Sequence, residues 1–208
     1  MSSIKLESNA SGTGIFTIAS PNSNTNRTLT LPEATTTVVG TDATQTLTNK
    51  TIQGGTITSG TSVTASGTSV DFTGIPSWVK RITVMLAGVS TNGTSIPQIQ
   101  LGYSGGVEIT GYVSGAFTSN TNNSSSTTGF LLGGGSSATF VRSGNAQIFL
   151  IGSNLWSFSY SGGVTVSTSG DVSGGHKTTT GTLDRIRITT VNGTDTFDAG
   201  TINILYEG

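Results

Sequence analysis

The side chains able to do chemistry are few. The chain has one histidine and no cysteine, which removes thiolate metal sites and cysteine nucleophiles together. His176 sits in Gly174-Gly175-His176-Lys177. A lone His without Cys builds neither a His-rich metal site nor a Cys–His pair. A Ser–His–Asp triad stays formally open because serine is plentiful, and a loop histidine is the simpler reading. Asp184, Asp195 and Asp198 cluster near the C-terminus. Glycoside hydrolysis needs two carboxyl groups about 5–10 Å apart across one bond, so convergence of these three is the test of that chemistry. Ion pairing with Arg185 or Arg187 explains Asp184 equally well, and Asp195 and Asp198 follow a turn where Asp bonds locally. Asp195-Thr196-Phe197-Asp198 supplies oxygens of the kind calcium takes, without the regular acidic spacing of calcium loops. Gly133-Gly134-Gly135 lacks the Lys-Ser or Lys-Thr of a phosphate loop. Trp156, Phe158 and Tyr160 alternate, which fits core packing better than a sugar-stacking platform. No catalytic residue, metal ligand or cofactor is expected. The candidate surface-contact residues are Tyr103 and Tyr112, each set among Gly and polar residues, with Asn120, Asn122 and Asn123.

Composition narrows the class of protein that must hold these residues. The chain has 208 residues, of which 33 % are hydrophobic and only 9 % charged, with 30 glycines and a net charge of −1. Disordered chains combine low hydrophobicity with high net charge. Here the charge is near zero and threonine, a β-branched residue that favours pleated structure, leads the polar set. A folded β protein with a polar skin follows. So little apolar material points to stability gained by association. Nine Lys and Arg, spread over the chain, do not make the basic patch that nucleic acid requires. No apolar run is long enough to span a bilayer. Met1–Ala10 lacks the pattern of a signal peptide, so assembly in a cytoplasm is expected.

The elements fall into two parts divided near Gly67. Residues 1–67 hold short alternating runs (Ser3–Leu6, Ile15–Ile18, Thr28–Leu31, Thr37–Val39) separated by turn signals. Strands this short bury a core only if several chains wrap around one axis. Thr41–Gly67 carries lone aliphatics (Leu47, Ile52, Ile57, Val63), which fit either a thin ordered shaft or a flexible linker. Residues 68–208 carry longer strands. Ile82, Val84 and Leu86 share one face of Lys80–Leu86. Gln98–Tyr103 and Thr201–Glu207 alternate in the same way, and Asp184–Thr190 turns Ile186 and Ile188 inward with Arg185 and Arg187 outward. Gln147–Ile151 is apolar on both faces after its first residue, as a central strand would be. Asn92-Gly93 and Asn192-Gly193 are good tight-turn dipeptides. The spacing predicts exposed loops at Thr118–Thr128, Gly133–Gly135 and Ser169–Gly175, and a helical turn only near Pro76-Ser77-Trp78. The fold expected is all-β, with a β-rich N-terminal shaft or anchor and a C-terminal β-sandwich of jelly-roll type.

Thr44-Gln45-Thr46-Leu47-Thr48-Asn49-Lys50-Thr51-Ile52 resembles a segment common in bacteriophage tail fibres and related virion proteins. Arg27–Pro32 followed by Val38-Val39-Gly40-Thr41 is similar to the same family. Phe72–Ile82, Leu183–Ile186 and Phe197–Glu207 resemble C-terminal domains of phage structural proteins. The resemblance covers most of the chain as short motifs. It implies a homotrimer, a location in the virion and attachment to other virion proteins through the N-terminal part; that the protein is not an enzyme is expected from its lack of a catalytic constellation. A short fibre whose sandwich contacts the host surface is the expected role, with a bacterial surface glycan as a possible partner. A capsid decoration (cement) protein or head fibre is the alternative, since the candidate shaft is short. A polysaccharide-cleaving tailspike fragment is a third. Neither nucleic acid nor membrane insertion is implied.

Overall fold

The computed structural model describes residues 11–15, 24–26, 56–119, 122–165 and 169–208, except for the Asn122 side chain. The chain divides into two compact units, Met1–Lys50 and Thr51–Gly208. The described residues of the first unit are exposed turn and coil, and Ile15 is among them. The other residues of the four N-terminal runs, and the shaft-or-linker stretch up to residue 55, lie outside the described residues.

The second unit is all-β. In chain order its strands are β1 (Ile57–Ser59), β2 (Val63–Thr64), β3 (Ser69–Thr73), β4 (Arg81–Thr91), β5 (Pro97–Tyr103), β6 (Gly106–Val107) and β7 (Val113–Thr118). They continue with β8 (Asn122–Ser126), β9 (Phe130–Leu131), β10 (Arg142–Gly152), β11 (Leu155–Val164), β12 (Ser169–Thr178), β13 (Arg185–Thr190) and β14 (Phe197–Glu207). They form two antiparallel sheets. The larger runs β1-β14-β4-β10-β11-β12-β7-β8, with β2 also on β14, and the smaller runs β3-β13-β5-β6, with β9 on β5. The two sheets share one core, as a β-sandwich does.

Alternation builds that core. Ile82, Val84 and Leu86 of β4, Ile148 of β10, Trp156, Phe158 and Tyr160 of β11, and Ile202 and Ile204 of β14 point inward from the larger sheet. Val70, Phe72, Ile99, Leu101, Ile186 and Ile188 meet them from the smaller. Each such side chain contributes about 1.5–3 kcal/mol relative to exposure. Gln147–Ile151 does lie in a central strand, between β4 and β11, but Ile151 is exposed, so only one of its faces belongs to the core.

Several local expectations are corrected. Ile57–Ser59 and Val63–Thr64 pair with β14, Ala65 is buried and Gly67 bridges Phe197. The sandwich therefore begins before Gly67, and Ile57 and Val63 belong to it rather than to a shaft or linker. Asn192-Gly193 closes a tight turn, with Gly193 N–H on the Thr190 carbonyl (3.0 Å) and a φ of 68° at Gly193, but neither it nor Asn92-Gly93 joins a hairpin: each connection crosses from one sheet to the other. They are tied side by side, with Asn92 N–H donating to the Thr196 carbonyl (3.0 Å) and Ser95 N–H to an Asp195 carboxylate oxygen (2.8 Å). The primed hairpin turn instead falls at Ser153-Asn154, where both residues take positive φ (44° and 66°) between β10 and β11. Pro76-Ser77-Trp78 makes a single turn closed by Val79 N–H on the Pro76 carbonyl. Thr118–Thr128 and Ser169–Gly175 are largely strand, forming the β7–β8 hairpin and most of β12.

Candidate contact surface

The strands β12 and β7 reverse the usual polarity of a sheet. Apart from Ala116, their inward side chains are polar: Ser114 and Thr118 on β7, and Asp171, Ser173 and Lys177 on β12, all buried. Their outward residues include Val113, Phe117 and Val172, each about half exposed. The inward side has a physical cause. The segment Phe130–Ser136 runs beneath these strands, and it shares only two residue pairs with β5. Its remaining backbone groups need partners. Ser114 Oγ accepts from Leu131 N–H (2.9 Å), Ser173 Oγ from Gly133 N–H (3.1 Å) and Thr118 Oγ1 from Gly134 N–H (2.8 Å). Arg142 donates to the Gly135 carbonyl and to Asp171 (3.0 Å), and Thr118 donates to the other Asp171 oxygen. Gly133–Gly135 is accordingly buried rather than an exposed loop. At Gly133, φ is +113° and a Cβ would meet the Asp171 carboxylate, so only glycine fits.

The phenol of Tyr160 lies at the border of this buried cluster and has no hydrogen-bond partner. Burial, then the neighbouring Asp171 charge, pushes its pKa up to about 12, with Arg142 acting in the opposite sense. A second buried pair, Lys177 Nζ to Glu108 (2.6 Å), packs over the Tyr112 ring. Burial acts to raise the Glu108 carboxyl, but Lys177 and Thr180 together outweigh it and hold it below its ordinary value.

Tyr112 is therefore not a surface-contact residue, contrary to expectation. It is buried, its hydroxyl accepts from Leu101 N–H (2.6 Å) and donates to the Glu108 carbonyl (3.0 Å), and its ring meets Phe130 edge-on at 5.0 Å. Burial raises its phenol strongly. Tyr103 is half-buried, and Cβ atoms at Gly105 and Gly181 would strike its ring, so both glycines sit tight against it. Asn120 lies outside the described residues. Asn122 is in β8, and Asn123 is exposed on β8 opposite Phe117. Trp156, Phe158 and Tyr160 are core, as their alternation predicts.

The three carboxylates do not converge. Asp184 precedes β13 and is held by Arg185 (2.7 Å), while Asp195 follows the far end of the same strand and binds Asn192 (2.7 Å). The length of β13, six residues or about 20 Å, lies between them. Asp198, on β14, accepts from Ser90. The Arg185 contact lowers Asp184, and Asn192 with Ser95 N–H lowers Asp195. His176 is exposed in β12, not in a loop, between Ser157 and Val113. Gly102-Tyr103-Ser104-Gly105-Gly106 has the spacing of a nucleophile elbow, but Ser104-Gly105 is the two-residue turn between β5 and β6 rather than a strand-to-helix turn. Among the described residues no group of three His, Asp or Glu side chains is placed to hold a metal. No helix among them is long and apolar enough to cross a membrane.

No protein-family model, curated protein or solved structure matches this chain. The geometry must speak alone. Register aligns three outward rows across β11, β12, β7 and β8. One is Ser161-Val172-Phe117-Asn123, the next Ser159-Gly174-Gly115-Ser125, the third Ser157-His176-Val113. Among these residues there is no Asp, Glu, Lys or Arg. The outer side of the smaller sheet differs: Arg187 forks onto Asp71 there (2.7 Å to each oxygen). A concavity of about 300 Å³ lies beside that pair, lined in part by Gln98, Gln100 and Thr128. Both glutamines already donate to backbone carbonyls, of Thr190 and Thr128.

Proposed function

We propose that this chain is a non-enzymatic virion structural protein, a short trimeric fibre anchored through its N-terminal part and displaying the β-sandwich for contact with the host surface. The observation that carries the contact role is the outer face of β11, β12, β7 and β8, where an uncharged field of Ser, Gly and Asn surrounds the half-exposed ring of Phe117. Single exposed apolar residues are ordinary, but here Val172 and Phe117 are direct neighbours, and the buried charges lie beneath them. A face free of formal charge resists non-specific adhesion to polyelectrolytes and leaves recognition to hydroxyls, amides and one ring. The virion location and the trimer rest on the sequence resemblance given above.

Antibody–gold labelling of intact particles tests this reading. Gold on the tail or its tip is the expected result. Gold spread over the head replaces the fibre by a capsid decoration protein, and the absence of label on any particle overturns the virion role.

A further inference from the structure

The middle of the three rows has two side-chain-free positions, Gly174 on β12 and Gly115 on β7, directly opposite each other. Neither takes a positive φ. A Cβ at Gly115 would meet nothing within 4 Å, and one at Gly174 only the Phe158 carbonyl oxygen at 3.8 Å. Backbone conformation and packing would therefore accept a larger residue at both. Glycine weakens a strand interior, and where the fold does not need it, it marks a place where something else approaches the backbone closely. Contrast Gly175 next door, whose Cβ would overlap the Val113 carbonyl.

The two open glycines floor a trough. Val172 and Phe117 wall one side, and His176 and Val113 the other, about 13 Å away by strand rise. The trough runs across the strands from Ser159 to Ser125, three strand spacings or about 14 Å.

We infer that this trough binds a neutral oligosaccharide laid across the strands, with a pyranose ring stacked on Phe117. The inference rests on the host-contact reading above. A pyranose offers an apolar C–H face to an aromatic ring and hydroxyls at its edge to Ser125, Ser159 and Asn123. These rows hold no Lys or Arg, so an acidic sugar finds no permanent cation to pair with. An added β-strand is the wrong occupant: ladder bonds lie in the plane of the sheet and are already used here, so strand addition belongs at a sheet edge. A protein partner is poorly served too. Protein interfaces centre on large anchors sunk in pockets and bury about 800 Å² on each side, whereas this face offers three half-exposed apolar side chains around a bare floor.

The test is an array of neutral and acidic bacterial glycans probed with the full chain, followed by NMR titration of the neutral glycan that binds. Binding of a neutral glycan is expected, with shift changes gathered at Gly115, Phe117, Val172 and Gly174. Gly115→Thr should leave the unfolding midpoint unchanged or raised and weaken binding at least tenfold by filling the floor. Phe117→Ala should weaken it to a similar degree without altering the oligomeric state. Binding of acidic glycans alone, binding of none, shifts gathered elsewhere, or unaltered binding by Gly115→Thr overturns the trough. So does a change of oligomeric state in Phe117→Ala, which would make this face a contact between copies. The two readings fail separately: tail labelling with unaltered Gly115→Thr binding removes the trough and keeps the fibre, while trough-dependent binding with unlabelled particles does the reverse.

Discussion

The larger sheet contains two halves built on opposite rules. Across β14, β4, β10 and β11 the inward side chains are chiefly aliphatic or aromatic. Across β12 and β7 the inward side chains, Ala116 apart, are Ser, Thr, Asp and Lys, and Val113, Phe117 and Val172 face out. The first half packs against a sheet whose backbone is already paired. The second covers a strand-poor segment, Phe130–Ser136, whose amides and carbonyls take their partners from those polar side chains. Inward polarity is thus dictated by what lies beneath, and the outward face of the same strands is released from the need to be solvated by charge.

The sharpest way to break this comparison is to delete one charge from the inverted half. Asp171→Ala strands the Arg142 guanidinium, which is itself buried (2 % exposed), and should cost about 3–5 kcal/mol by urea denaturation. Ile148→Ala in the ordinary half should cost about 2–5 kcal/mol. A loss at Asp171 below 1 kcal/mol would mean that the polar cluster is not what holds that half together. Neighbouring glycines give the next contrast. Gly175→Ala drives a methyl into the Val113 carbonyl and should cost about 1–3 kcal/mol as overpacking does. Gly174→Ala, one residue away and facing out, should fall within about 0.5 kcal/mol of the parent. Equal losses at both would show that the floor of the trough is needed for folding.

Smaller effects sharpen the picture. Tyr160→Phe removes a buried hydroxyl that makes no hydrogen bond, so stability should hold or rise by up to about 1 kcal/mol. A clear loss would reveal a bound water or other partner for that hydroxyl. Acid should weaken the fold through Glu108. Its carboxyl titrates below its ordinary value of 4.5 in the folded chain. Its contribution is therefore complete above that value and fades as pH falls through the lower folded one. Glu108→Gln should flatten that part of the stability profile, and an unchanged profile would acquit the Lys177 pair. Asp71→Asn, at a pair more than a third exposed, should shift stability by less than about 1 kcal/mol.

The same contrast explains which strands could be read from the sequence. β4, β5, β11, β13 and β14 announce themselves because their alternation has the ordinary sense, as in Ile82-Thr83-Val84 or Trp156-Ser157-Phe158. β12 also alternates, Ser169-Gly170-Asp171-Val172-Ser173, but its buried phase is polar and its exposed phase holds glycines, so it reads as a loop. Thr118–Thr128 reads as a loop for the same reason, although β8 pairs regularly with β7. Arg142 and Asp171 gave no local signal, since 29 residues separate them and nothing in either neighbourhood marks burial. Tyr112 reads, wrongly, as exposed. Gly111 beside it suggests exposure, and the need of its hydroxyl for the Leu101 and Glu108 backbone is a tertiary fact. Phe117 had the clearest missed signal, an aromatic residue amid Ser, Gly and Asn, and the trough around it appears only when register sets Gly115 against Gly174.

The pairing of Ile57 with Glu207 and of Thr64 with Thr201 has a mechanical meaning. Residues 57–64 run back along the single strand β14, and Gly60 N–H joins the Ile204 carbonyl between the two short ladders. Tension arriving through residue 56 along that strand loads both ladders in shear, so their bonds must yield together. Tension directed out of the sheet peels Ile57 from Glu207 first and opens the rest one bond at a time. The sandwich is thus fitted to bear a pull in line and to give way to a pull from the side.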